Sequence, residues 1–125
     1  MKEQTLLDKA IDNYEIACAL FELYADDEAK LNFVGCHLEQ AVELFIKHTL
    51  EINGVKYKQT HDITVLMEQC QSAGLQIPGE EYIDDNSEMF TSWESKTRYI
   101  KDYYIQKRKV AKAIQNLREI IKKET

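Results

Sequence analysis

Helix-breaking residues are scarce in this 125-residue chain, which contains only four glycines and one proline. Long stretches between them can therefore stay helical, because glycine and proline are the strongest local interruptions of regular structure. Apolar residues recur along these stretches at three- and four-residue steps, and no run shows the strict alternation of a strand. The sequence predicts an all-α fold, an antiparallel up-and-down bundle of four to five helices in a single domain over residues 1–125.

The apolar pattern also predicts where the helices lie. The expected segments are a first helix of about 22 residues that reaches Tyr24, then helices over about 28–52, 61–73, Ser87 to the 96–104 region, and 103–123. The loop around Pro78 can hold one short helical turn. Expected N-caps are Asp26 or Asp27 for the second helix, Thr60 or Asp62 for the third, and Ser87 for the fourth.

The second helix is apolar on more than one side. One face carries Leu31, Val34, Leu38, Ala41, Val42, Phe45 and Leu50, while Phe33, Leu44 and Ile46 lie off that face. A helix of this kind is either central in a bundle or also faces a partner subunit.

Charge is distributed unevenly about a net value of −6. Residues 1–95 contain 6 basic and 19 acidic residues, whereas residues 96–125 contain 10 and 3. We expect the basic last helix to pack against the acidic helices with its cations on the outer face, although such a face could also meet a phosphate-bearing partner. The acidic balance overall argues against nonspecific coating of duplex DNA.

Cysteine usage and hydropathy bear on the compartment. Cys18, Cys36 and Cys70 are odd in number and widely spaced, which favours free thiols in a reducing cytoplasm over a disulfide framework or a zinc site. They are expected to act as small apolar fillers, with a catalytic cysteine as the alternative. The sequence has no apolar run typical of a signal peptide or membrane anchor, so no membrane association is expected.

Three stretches, in this order and spacing, resemble the HEPN domain family. They are NFVGCHLEQAVELFIKHTL (32–50), QTHDITVLMEQC (59–70) and ESKTRYIKDYY (94–104). The matching elements are Gln40-Ala41 with Glu43 and Lys47, then Thr60-His61-Asp62 with Leu66, and finally Arg98-Tyr99. The resemblance spans roughly residues 5–122, and it implies a small helical bundle.

The resemblance also implies a range of functions. HEPN proteins commonly form homodimers, and many are metal-independent endoribonucleases, often the toxin of a toxin–antitoxin module. Others pair with a minimal nucleotidyltransferase, or bind nucleotides or RNA without catalysis. No cofactor is expected. The ribonucleases carry an arginine followed, after four to six intervening residues, by a histidine.

That histidine is missing from this chain. The positions that follow Arg98 at the family spacing hold Tyr103, Tyr104 and Ile105, and all three histidines precede the first arginine. Histidine transfers protons near neutral pH and arginine binds phosphate. This sequence therefore retains the phosphate-binding arginine but lacks the histidine that usually acts as the base. We therefore expect a non-catalytic module, with an endoribonuclease toxin as the alternative should His37 or His61 approach Arg98 in space.

The expected nucleotide- or phosphate-binding residues are consequently Arg98, Tyr99, Lys101, Tyr103 and Tyr104, with no catalytic and no metal residues. A guanidinium among tyrosines can hold a phosphate while a ring stacks on a base. The competing interpretation is an ion pair between Arg98 and Glu94, four positions earlier. On the second helix, Glu39, Gln40, Glu43 and Lys47 are expected to form a solvated or dimer-facing polar strip, with a Glu43–Lys47 ion pair.

Overall fold

A computed structural model describes residues 3–124, and every regular element in that range is an α-helix. The helices are α1 (Leu6–Tyr24), α2 (Glu28–Ile52), α3 (Ile63–Ser72), α4 (Glu80–Asp85), α5 (Ser87–Tyr99) and α6 (Lys107–Glu124). The predicted all-α bundle is confirmed, and α4 is the short helical turn expected after Pro78. Within the described range no helix is both long and apolar enough to span a bilayer.

Side-chain caps fix where several helices begin. Asp27 accepts a hydrogen bond from the Lys30 amide at the start of α2, and Asp62 caps α3 by accepting from the Thr64 and Val65 amides. Ser87 does not cap α5, contrary to expectation. It is the first residue of that helix, and its buried hydroxyl accepts a hydrogen bond of 3.0 Å from the Thr64 hydroxyl instead.

Helix α2 lies at the centre of the bundle and packs against α1, α3, α5 and α6. Leu38, Val42 and Ile46 are completely buried, although Ile46 lies off the main apolar face. The predicted central position is thus confirmed. Phe33 is the exception, since 63% of its surface stays exposed near the start of the helix.

The last helix begins later than predicted. Residues 100–106 are not helical, because Ile100 turns into extended backbone and Asn32 then binds the segment through two hydrogen bonds. The Asn32 amide donates to the Tyr103 carbonyl (2.8 Å), and the Ile105 amide donates to Asn32 Oδ1 (3.0 Å). Buried Ile105 packs directly over Gly35, where any side chain on α2 would collide with it.

Replacing Asn32 with alanine is expected to release this segment. Two partly buried hydrogen bonds are lost and the Tyr103 carbonyl and Ile105 amide are left unpaired, which costs about 2 kcal/mol of unfolding free energy. Hydrogen exchange of the Ile105 amide should accelerate, and denaturant unfolding should measure the loss. Gln40→Ala, at an exposed position of the same helix, is the control. Unchanged exchange at Ile105 would contradict the role assigned to Asn32.

Charge pairing between the basic C-terminal region and the acidic helices is sparse. Lys107 binds Asp26 across 2.8 Å, and this is the ion pair that joins α6 to an earlier segment of the described chain. Lys122 pairs within α6, with Glu119. The expected packing of α6 on the bundle is present, but apolar residues hold it there: Val110, Ala113, Ile114, Leu117 and Ile120 are buried.

Candidate functional site

A groove between α2 and α5 contains Arg98, the central residue of the predicted site. The two helices approach closely here, where the Cys36 thiol lies 3.1 Å from the Thr97 hydroxyl and 3.5 Å from the Trp93 carbonyl. The groove has a volume of about 290 Å³, and its lining residues are Ala29, Asn32, Phe33, Cys36, Gln40, Glu94, Thr97 and Arg98.

Arg98 lies at the rim of this groove with its side chain 61% exposed. Its Nη2 atom is 2.8 Å from Glu94 Oε1, which is the ion pair expected from the four-residue spacing. A hydrogen bond with Tyr99 and the charge of Glu94 raise the pKa of the guanidinium. Arg98 is therefore permanently cationic. The pair is asymmetric, because only 16% of the Glu94 side chain is exposed. Arg98 has five N–H donors, so those not bound to Glu94 are available to an anion at its exposed side.

The other predicted site residues are arranged less tightly. Tyr99 is 77% exposed, and Lys101 and Tyr104 are also exposed on the segment that follows α5. Tyr103 is half-buried, with the Lys96 ammonium 5.8 Å from its ring centre. Of the five residues only Arg98 lines the groove, and Tyr99 joins it through their hydrogen bond.

Sequence reasoning missed the α2 side of the groove. Ala29, Phe33, Cys36 and Gln40 recur at steps of three and four residues, which places them on one helical face. That spacing was available from the sequence. It could not be distinguished from an ordinary core face, because only the contact with α5 shows that these residues border a groove.

The two histidines considered as substitute bases are bound elsewhere in the same chain. His37 Nδ1 lies 2.9 Å from Asn13 Oδ1 on α1, and burial lowers the pKa of its imidazole. His61 Nδ1 lies 2.7 Å from Glu43 Oε1. Neither ring lines the groove with Arg98.

Cys36 is the cysteine that lines the groove, and a cysteine can act as a nucleophile. Burial, as the largest influence, raises the pKa of its thiol, and the charge of Glu94 acts in the same direction. A thiol attacks as its thiolate, so this environment works against a catalytic cysteine. Cys70 is buried and Cys18 half-buried, and all three thiols are free.

Most of the predicted polar strip of α2 is buried, which corrects the expectation of a solvated face. Glu43 and Lys47 form their predicted ion pair at 3.2 Å, but only 8% and 10% of their side-chain surfaces are exposed. The Lys47 ammonium also lies 5.2 Å from the Tyr57 ring centre. His61 contacts Glu43 and Tyr57 contacts Lys47, and only Gln40 of the four residues is exposed.

Glu39 is the most unusual of these residues, since it is completely buried and neither carboxyl oxygen has a hydrogen-bond partner within the described chain. Burial raises its pKa to about 9, and the neighbouring carboxylates of Glu43 and Glu94 contribute. Glu39 is consequently protonated at neutral pH. It interacts electrostatically with Glu94, which lines the groove, and with the buried Glu43–Lys47 pair.

No group of three or more histidine, cysteine, aspartate or glutamate side chains among residues 3–124 is placed to hold a metal ion. The groove chemistry is therefore that of one exposed cation, aromatic and polar neighbours, and protonated Cys36.

Comparison with known proteins supports the assignment that the motifs indicated. The family model of the HEPN domain matches residues 4–125, nearly the whole chain. Comparisons with curated proteins and with solved structures return no significant match. The helical bundle, the ordered motifs and the family match agree, and the chain belongs to the HEPN domain family.

Proposed function

We propose that this HEPN domain binds a phosphate-bearing ligand, a nucleotide or a segment of RNA, without cleaving it. One observation carries the proposal: an exposed guanidinium lies at the rim of a groove whose lining residues include no imidazole. The guanidinium can bind an anion. Because no histidine lines the groove, the residue that usually transfers the proton is missing there.

Binding is supported by the chemistry around Arg98. A guanidinium can donate two parallel hydrogen bonds to phosphate, and the Arg98 side chain is 61% exposed while one of its donors binds Glu94. Phe33 and Tyr99 present exposed rings close by, which can stack on a base. A volume of about 290 Å³ is near the lower limit of small-ligand pockets, so it suits one nucleotide of a ligand.

The protonation states around the groove argue against cleavage. A general base must be unprotonated and within reach of the hydroxyl that attacks. Cys36 and Glu39 are held in their protonated forms, Glu94 is engaged by Arg98, and the two histidines that could substitute bind Asn13 and Glu43 outside the groove. The alternative function, a metal-independent endoribonuclease toxin, requires a base from a second subunit.

Exposed apolar residues support a homodimer as the acting form. Four of these lie near one another in the fold: Phe33 on α2, Tyr99 at the end of α5, and Ile100 and Tyr104 in the segment that Asn32 holds against α2. Exposed apolar clusters of this kind typically mark interaction surfaces. A minimal nucleotidyltransferase is the candidate heterologous partner, and the three free thiols support a reducing cytoplasm as the compartment.

Two substitutions of opposite expected effect test the groove. Arg98→Ala should weaken binding of a 5′-nucleotide or short single-stranded RNA at least about tenfold, because a charge-assisted contact is lost. Glu94→Gln should strengthen binding, because it removes the competing carboxylate. Lys9→Ala, which removes an exposed cation from α1, is the control for net charge.

Calorimetric titration measures the affinities, and sedimentation of the same samples reports the oligomeric state. Binding that is equal in wild type, Arg98→Ala and Glu94→Gln would refute the groove as the site. Cleavage of labelled RNA by the wild type, abolished by Arg98→Ala, would replace the binding function with the ribonuclease alternative.

A further inference from the structure

A second cleft lies between α4, the start of α5 and the first turns of α6. It has a volume of about 390 Å³, and its lining residues are Tyr82, Asn86, Met89, Arg108, Lys109 and Lys112. Asn86 precedes Arg98 by most of the length of α5, roughly 18 Å at the helical rise per residue. The cleft shares no lining residue with the groove and is a separate feature of the surface.

The three cations of this cleft have no carboxylate partner. Arg108, Lys109 and Lys112 form no ion pair with any residue of the described chain, although α4 and the start of α5 are rich in acidic residues. The Arg108 side chain donates a hydrogen bond of 3.1 Å from its Nε to the neutral Gln106 amide oxygen. The charge on this wall is therefore uncompensated at contact distance.

The positions of these cations are unfavourable for the helix itself. Arg108 and Lys112 are four residues apart, a spacing at which like charges repel. Arg108 and Lys109 occupy the first turn of α6, where the helix dipole disfavours positive charge and no acidic residue offsets it. By contrast, Lys122 and Lys123 lie in the last turn, where the dipole favours cations. A functional ligand would account for an arrangement that stability alone disfavours.

The opposite wall of the cleft offers further hydrogen-bonding groups. Burial raises the pKa of Tyr82 to about 12, so its hydroxyl stays protonated and available as a donor. The Tyr82 ring packs edge-on against Phe90 with centroids 6.0 Å apart, and Asn86 Nδ2 donates to the Tyr82 carbonyl at 2.8 Å. These contacts hold the wall in place, so a ligand meets a preformed surface.

We propose that this cleft is a second, independent anion site, which binds a phosphate group between the cations of α6 and the Tyr82 and Asn86 side chains. Arg108 provides the planar donor pair, and Lys109 and Lys112 add positive charge. Inorganic phosphate, a 5′-mononucleotide and an RNA phosphodiester share this chemistry. The site does not depend on the groove, because its residues are distinct from Arg98.

Methionine methyl resonances give a specific test, because Met89 lines the cleft whereas Met67 is completely buried in the core. In protein labelled at the methionine methyl carbons, inorganic phosphate at constant ionic strength is expected to shift the Met89 resonance saturably and leave Met67 in place. Parallel titrations use a 5′-mononucleotide and a short single-stranded RNA. The ligand that binds most tightly identifies the source of the phosphate.

The double variant Arg108→Gln with Lys112→Gln is expected to weaken this response at least about tenfold, while its melting temperature without phosphate stays equal or rises because the repulsion is relieved. Lys123→Gln removes one charge from the far end of the same helix and should bind normally. Arg98→Ala should also leave the Met89 response intact. An unresponsive Met89, or a double variant that binds as tightly as wild type, would overturn the proposal.

Discussion

Glu39→Gln is expected to stabilise the protein by roughly 3 kcal/mol at pH 8 and by almost nothing at pH 5. Glutamine has nearly the shape of the protonated acid that occupies this position at neutral pH. It differs in never having to release a proton. Its amide can also donate to the neighbouring carboxylates of Glu43 and Glu94, whose charges disfavour ionised Glu39.

The sign of the pH dependence follows from the direction of the shift. In the folded protein the Glu39 pKa is raised from an ordinary value of 4.5 to about 9, so between these values the folded state holds a proton that the unfolded state has lost. The stabilising contribution of Glu39 is therefore complete below pH 4.5 and is lost progressively as the pH rises toward 9. The glutamine variant lacks this loss, so its advantage grows with pH.

Thermal unfolding of wild type and Glu39→Gln at pH 5, 6.5 and 8 measures the effect, which should approach about 10 °C in melting temperature at the highest pH. Glu51→Gln provides the control, since Glu51 is an exposed glutamate on the same helix. A constant difference between wild type and Glu39→Gln across this range would contradict a buried, protonated Glu39.

Glu43→Gln is expected to have the opposite effect, a loss of about 3 kcal/mol at neutral pH. Lys47 and Glu43 are both nearly inaccessible to water, so loss of the carboxylate charge leaves a buried ammonium without its ion-pair partner, beside the Tyr57 ring and protonated Glu39. His61 also loses the charge of its acceptor.

Replacing both Glu43 and Lys47 distinguishes two contributions to stability. One is the destabilisation caused by an unpaired buried charge, and the other is the net stabilisation by the ion pair. The double variant Glu43→Leu with Lys47→Met fills similar volume without any charge, and we expect it to recover most of the stability lost in Glu43→Gln. Thermal unfolding of the three proteins at pH 7 provides the comparison. A double variant less stable than Glu43→Gln would show that the pair contributes more than its desolvation costs.

Local sequence signals were sufficient for much of the fold. The scarcity of glycine and proline and the three- and four-residue apolar steps predicted the helices, and the span of α2 agrees with the structure at both ends. Asp27 and Asp62 were among the predicted caps, because capping depends on a side chain and an amide two or three residues away. The Arg98–Glu94 and Glu43–Lys47 pairs were likewise predictable from helical spacing.

Burial was not predictable in the same way. Glu39, Glu43 and Lys47 have the composition of a solvated strip, and the packing of α3 and α5 against α2 removes them from water. The start of α6 was placed too early for a related reason. Asn32 lies more than 70 residues before Ile105 and forms hydrogen bonds with the backbone of the 100–106 segment, which holds that segment out of a helix. The helical periodicity of the sequence does not indicate this contact.

By itself, then, the sequence determined the helices, the caps of α2 and α3, the family and the absence of a histidine after Arg98, since each depends on local patterns along the chain. Only the tertiary structure decided that Glu39 is a buried neutral acid, that Arg98 borders a groove with Phe33 and Cys36, and that three cations of α6 line a cleft with Tyr82 and form no ion pair within the described chain. Those properties depend on which surfaces exclude water and which charges meet, and both are set by contacts between residues distant in sequence.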